Sequence, residues 1–121
     1  MARREALTRE AHMSDDLAAR ICEPCRGDVP PLEREAIAPL LAQLDGWACV
    51  ENHHLTKRYE FPNFLEALDF VNRVGAVAEV QNHHPDLALG WGWATVTIYT
   101  HKIDGLTESD FVFAAKCDTV L

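Results

Sequence analysis

Between Leu55 and Val80 the spacing of apolar residues changes once, and the change falls at Pro62-Asn63. Before it, Leu55, Lys57, Tyr59 and Phe61 alternate with Thr56, Arg58 and Glu60, the period-two pattern of a strand with one face buried. After it, Phe64, Leu68, Val71, Val74 and Ala78 fall on one helical face with Leu65 and Val77 beside them, and Asn63 is placed to cap the first turn. A half-buried strand followed at once by a long amphipathic helix needs a partner layer for each apolar face. The expected class is therefore α+β.

The flanking segments extend this pattern. Residues 1–27 read as an N-terminal arm of mixed charge that ends in the loop-like run Cys22-Glu-Pro-Cys-Arg-Gly27, and the domain proper is expected over 28–121. Pro30 and Pro31 suit a first helical turn, and Leu32, Ile37, Leu40, Leu41 and Leu44 keep helical spacing until Gly46, with Pro39 expected to kink or shorten that helix. A short run from Trp47 and the alternating run to Phe61 predict two antiparallel strands joined near Asn52-His53. The stretch Leu87–Thr100 has strand composition, with Gly90 and Gly92 marking a bend or turn. Thr107 opens a Thr-x-x-Asp capping pattern that closes on Asp110, ahead of a last helix through Phe111, Ala114 and Ala115. The predicted order is α-β-β-α-β-β-α, an antiparallel four-stranded sheet with helices packed on one face.

A chain of 121 residues with 48% hydrophobic and 25% charged residues has the material for one core. Its net charge of −8 would repel a phosphate backbone, and no basic stripe offsets it, so nucleic acid is not an expected partner. No run of about 18 apolar residues is present to cross a membrane. The start has no apolar run with a small-residue cleavage site, and a cytoplasmic location is expected. There the four cysteines should be thiols. Cys22 and Cys25 form a lone CxxC in which zinc would lack two of its usual four ligands unless Cys49, a histidine or another chain supplied them.

Titratable side chains concentrate in Glu79-Val-Gln-Asn-His83-His84-Pro85, where the long helix should end. Glu79 lies four residues before His83, so a helix persisting that far would bring its carboxylate to the imidazole and hold its tautomer. Pro85 disfavours a helical conformation for His84, so the two rings should diverge. Taken alone, the pair fits solvated helix-end residues, metal ligands or an acid-base site. His101, ahead of Asp104-Gly105, is either a strand-end polar residue or a third histidine returned to the same corner by one crossing of the fold.

The full spacing narrows these readings: Glu79, three residues, His83-His84-Pro85, five residues, Trp91, nine residues, His101, eight residues, Asp110. With Gly46-Trp47, Lys57, Phe61, Thr100-His101 and Gly105-Leu-Thr107, it resembles the pterin-4a-carbinolamine dehydratase family from about Leu32 to the last helix. Two positions depart from the common pattern, Leu87 in place of a tryptophan and Trp91 in place of a tyrosine. The resemblance implies the fold order already read from periodicity, a homodimer or homotetramer, and an enzyme working without metal or cofactor. It implies dehydration of a 4a-hydroxytetrahydropterin to the quinonoid dihydropterin, which recycles the cofactor of aromatic amino acid hydroxylases.

Carried onto this chain, it makes His83, His84 and His101 the catalytic set. His83 and His101 would act as acid and base at the 4a-hydroxyl, and His84 would orient the pterin. Asn82, Thr100 and Lys102 would join them in binding substrate, with Glu79 and Asp110 in support, although capping alone would account for Asp110. Alternatives of other classes are a pterin-binding protein of molybdopterin metabolism and a non-catalytic dimerisation partner. His53-His54 lacks the following proline and reads as a solvated turn pair. Trp91 reads equally as an interface anchor or a ligand stacker.

Overall fold

The computed structural model describes residues 16–23 and 27–121. A helical turn at 16–19 precedes α1 (Arg34–Leu41), β1 (Ala48–Val50), β2 (His54–Glu60), α2 (Phe64–Gln81), β3 (Asp86–Gly90), β4 (Trp93–Ile98) and α3 (Glu108–Thr119). From α1 onward the order is the predicted one. The four strands form one antiparallel sheet in the order β1-β2-β4-β3. Register sets the two faces: Leu55 lies opposite Ile98 and Tyr59 opposite Ala94, while Leu87 and Leu89 pair with Val96 and Ala94. This is the apolar face, against which α2 and α3 pack. The alternate residues Thr56, Thr95 and Thr97 face the other way and are partly exposed.

The two hairpins turn for different reasons. Glu51 and Asn52 both take φ 54 in the β1–β2 loop, whereas Gly92 at φ 83 makes the β3–β4 turn. Trp91 sits at that second tip, 72% exposed. Asp86 pairs at the opposite end of the same hairpin, so Trp91 lies a strand length from the histidines. The even choice between anchor and stacker is resolved against stacking within this chain.

Helix α3 is the centre of the domain, with Ser109 to Ala115 and Cys117 all buried. Its last turn is fixed by Asp118, which accepts hydrogen bonds from Tyr59 Oη (2.6 Å), Lys57 Nζ (2.9 Å) and Trp47 Nε1 (3.2 Å). Lys57 also donates to the Asp45 carbonyl at 2.7 Å. One carboxylate thus ties the helix to β2 and to the Gly46-Trp47 turn.

Three local expectations are corrected. Helix α1 begins at Arg34 after Glu33 at the cap position, so Pro30 and Pro31 precede it. The chain there is held by the Leu32 amide on the Leu106 carbonyl (2.8 Å), and a Cβ on Gly105 would come within 2.6 Å of Pro31 Cβ. The buried line of α2 is Ala67, Phe70, Val74 and Ala78, whereas Phe64 and Leu65 are 44% and 71% exposed. Phe70 sets that rotation by packing on Tyr59 and Phe61, with ring centroids at 4.4 and 5.3 Å. Leu17 is 0% exposed and Cys22 9%, so part of the segment read as an arm belongs to the core. Residues 1–15 and 24–26, Cys25 among them, lie outside the described residues.

Burial pushes the Cys22 thiol up to about 11 and raises Cys117 and Tyr59 further, with Asp118 adding to both of the latter. The unfolded chain releases these protons near the ordinary values of 9.0 and 10.0, whereas the folded chain keeps them. The unfolded state then binds fewer protons, so stability is fully present below pH 9 and is lost as pH rises. The urea midpoint should be lower at about pH 10.5 than at about pH 8. An unchanged midpoint would show that these groups titrate alike in both states.

Candidate active site

The end of α2 decides where the two adjacent histidines go. Asn82 adopts φ 51, ψ 44, a left-handed cap that asparagine tolerates, and the Asn82 and His83 amides both close on the Ala78 carbonyl. That reversal takes His83 off the helical face carrying Glu79. Glu79 instead meets His84, Oε2 to Nε2 at 2.6 Å, with both side chains exposed. His83 turns inward to 15% exposure, its ring edge against Phe113 and its Nε2 2.7 Å from Asp110 Oδ1. The expected Glu79–His83 contact is therefore replaced by two pairs, Glu79–His84 and Asp110–His83.

Asp110 is 0% exposed and accepts three hydrogen bonds. The Thr107 amide (2.8 Å) completes the predicted capping box, Thr100 Oγ1 donates at 2.8 Å, and His83 Nε2 is the third partner. An ionised carboxylate can only accept, so His83 carries its proton on Nε2 and, when neutral, presents Nδ1 as an acceptor. The helix N-terminus favours negative charge at this position. Capping, offered as the full account of Asp110, is half of what it does.

His101 is placed by a pinched loop. Thr100 and Gly105 form an isolated bridge, the Thr100 amide donating at 2.8 Å and the Gly105 amide at 3.3 Å, and a 3-10 turn, His101–Ile103, stands out between them. The residue is thus the start of a turn and not a strand end. Its ring packs on Tyr99 at 4.2 Å between centroids, and Tyr99 packs in turn on His53 at 4.5 Å. His53 Nε2 holds Asp104 Oδ1 at 2.7 Å and its Nδ1 lies 3.0 Å from Nδ1 of His54. The second histidine pair, expected to be solvated, braces the loop that carries His101.

These elements enclose a cleft of about 240 Å³ lined by Glu23, Asn82, His83, His84, Tyr99, Thr100, His101 and Lys102. Ligand pockets commonly span about 300–1,000 Å³, so this one suits a small heterocycle. All six residues expected to bind substrate lie on its wall, with Glu79 behind His84 and Asp110 behind His83. Tyr99 and Glu23 escaped the sequence reading. Tyr99 carried a signal, as the neighbour of Thr100-His101; Glu23 carried none, because its place depends on how the N-terminal segment packs. A larger groove of about 340 Å³, lined by Ala18, Ala76, Val77, Val80, Gln81, Lys116 and Thr119, has one titratable side chain, and Lys116 donates to the Ala18 carbonyl at 2.6 Å. The acid-base groups are in the smaller cleft.

The chain is thus an α+β domain with a histidine-lined cleft backed by a buried carboxylate, and comparison with known proteins gives its family. The profile of the pterin 4 alpha carbinolamine dehydratase family matches residues 30–120, and the chain belongs to that family. A Rubrobacter xylanophilus protein named, provisionally, pterin-4-alpha-carbinolamine dehydratase is 62% identical over 103 residues, 85% of this chain and 96% of its own. A Rickettsia bellii protein with the same provisional name is 52% identical over 84% of this chain and 91% of its own. Among solved structures, a transcriptional coactivator/pterin dehydratase from Brucella melitensis superposes with a TM-score of 0.70 at 30% identity, covering 74% of this chain and 97% of its own. No helix among the described residues is long and apolar enough to cross a membrane.

Proposed function

We propose that the protein dehydrates a 4a-hydroxytetrahydropterin, and that it does so in the cytoplasm as a homodimer or homotetramer, returning cofactor to aromatic amino acid hydroxylases. The observation that carries this reading is the convergence of His83, His84 and His101 on one cleft, with the buried Asp110 carboxylate behind His83. In the reaction the C4a–O bond breaks and the hydroxyl leaves as water with one added proton. N5 gives up its proton and its electron pair forms the C4a=N5 bond. No electron is gained or lost overall.

Two proton transfers at neighbouring atoms need one acid and one base, and imidazole serves as either near neutral pH. His83 and His101 fill those roles. His83 is held by Asp110 and Phe113, and His101 by Tyr99, so both rings are oriented before substrate arrives. His84, exposed and paired with Glu79, orients the ring, together with Asn82, Thr100 and Lys102 on the wall.

A hydroxylase turning over with limiting tetrahydropterin tests the recycling role. Adding the protein should remove the transient carbinolamine absorbance and sustain turnover, and an unchanged transient would contradict the proposal. Likeness to the Brucella melitensis transcriptional coactivator/pterin dehydratase also favours a second reading, a non-catalytic dimerisation partner. Retention of the whole histidine set with its buried carboxylate favours the enzyme, since a scaffold needs neither.

A further inference from the structure

Glu23, an acidic residue, lines the cleft from outside residues 30–120, the stretch matched by the family profile. Its segment is fastened. Leu17 is fully buried, and the Cys22 amide donates to Gln81 Oε1 at 2.9 Å. The Glu23 amide donates to Ser109 Oγ at 2.8 Å, and that hydroxyl lies 3.2 Å from the Glu23 carbonyl, donating back. Ser109 is 6% exposed and directly precedes Asp110, so Glu23 and the partner of His83 are set by the same first turn of α3. Among the described residues the Glu23 carboxylate has no hydrogen-bond or ion-pair partner, whereas Glu79 holds His84 and Asp110 holds His83.

We propose that Glu23 is a substrate-contacting residue that reads the N–H donor edge of the pterin, formed by N3–H and the exocyclic 2-amino group; this rests on the pterin reading of the cleft. The two N–H groups point the same way from one ring edge, and a carboxylate accepts two such bonds in parallel. Glu23 is the one carboxylate among the described lining residues. Lys102 offers only donors, and His83 and His101 are occupied with protons at the 4a-hydroxyl and N5. A segment outside the family profile thereby sets which ring is accepted.

The test compares binding of 7,8-dihydropterin and 7,8-dihydrolumazine, which differ in carrying a 2-amino or a 2-oxo group, to wild type and to Glu23→Gln. Wild type should prefer the amino ring by about 10–100-fold, the scale of a charge-assisted contact whose loss leaves a group unpaired. Glu23→Gln should bind dihydropterin about 10-fold more weakly and keep less than about 3-fold preference. In dehydration its KM should rise with kcat nearly unchanged, because the contact is the same in ground and transition states. A variant that keeps the full preference, or loses kcat with KM intact, overturns the assignment while leaving the enzyme in place. Wild type that binds neither ring overturns the pterin reading and this assignment together.

Discussion

His83→Ala should slow dehydration at saturating carbinolamine by about 10²–10³-fold, within the range that one positioned acid-base group contributes. The residue is singled out by its surroundings. Its ring is 15% exposed, lies edge-on to Phe113 and has Nε2 committed to a carboxylate with no exposure, so Nδ1 is the nitrogen left for proton exchange. His101 is exposed and its ring rests on Tyr99, so His101→Ala should lose less. Removing His83 leaves Asp110 the Thr100 hydroxyl and the Thr107 amide as donors, and the fold should survive at a cost of about 1 kcal/mol. Stopped-flow rates beside a urea titration separate the two effects. A rate within twofold of wild type would remove His83 from the chemistry.

Asp110→Asn and Asp110→Ala should fail in different ways. Alanine strips an acceptor from three donors at once, His83 Nε2, Thr100 Oγ1 and the Thr107 amide, and should destabilise the protein by about 3 kcal/mol. Asparagine keeps the shape and can still accept from Thr107 and Thr100 through its oxygen. Its amide nitrogen then faces His83 Nε2 as a donor, which forces the imidazole proton onto Nδ1 and turns the acceptor in the cleft into an N–H. Asp110→Asn should therefore stay folded with kcat lower by about 10²-fold and the affinity for dihydropterin little changed. Equal kcat in Asp110→Asn and wild type would reduce Asp110 to a cap. Loss of binding with kcat intact would mean that it shapes the cleft without controlling a proton.

The two variants also locate what could be read from the sequence. Period-two and 3.6-residue spacing reveal the strand His54–Glu60, the Asn63 cap and the Thr107–Asp110 capping box, because each depends on neighbours a few residues apart. The family resemblance implies all six residues of the expected binding set, and these share the cleft wall. Pairing was not legible. Glu79 at four residues from His83 is the natural helical partner, but Asn82 in the left-handed region ends the helix one residue too soon, and His83 finds its carboxylate 27 positions away. His53, an ordinary turn residue by local rules, reaches Asp104 across 51 positions. Glu23 is placed by Ser109, 86 positions on. Contacts of this kind arise when the sheet and α3 close on each other, and no local pattern encodes them.

The direct measurement is the rate at which quinonoid dihydropterin forms from freshly generated 4a-hydroxytetrahydropterin, with and without the protein, followed by stopped-flow absorbance. Wild type should accelerate the reaction at least about 10²-fold over buffer, and the His83→Ala/His101→Ala double variant should not. Wild type no faster than buffer would contradict the account, whatever the family resemblance.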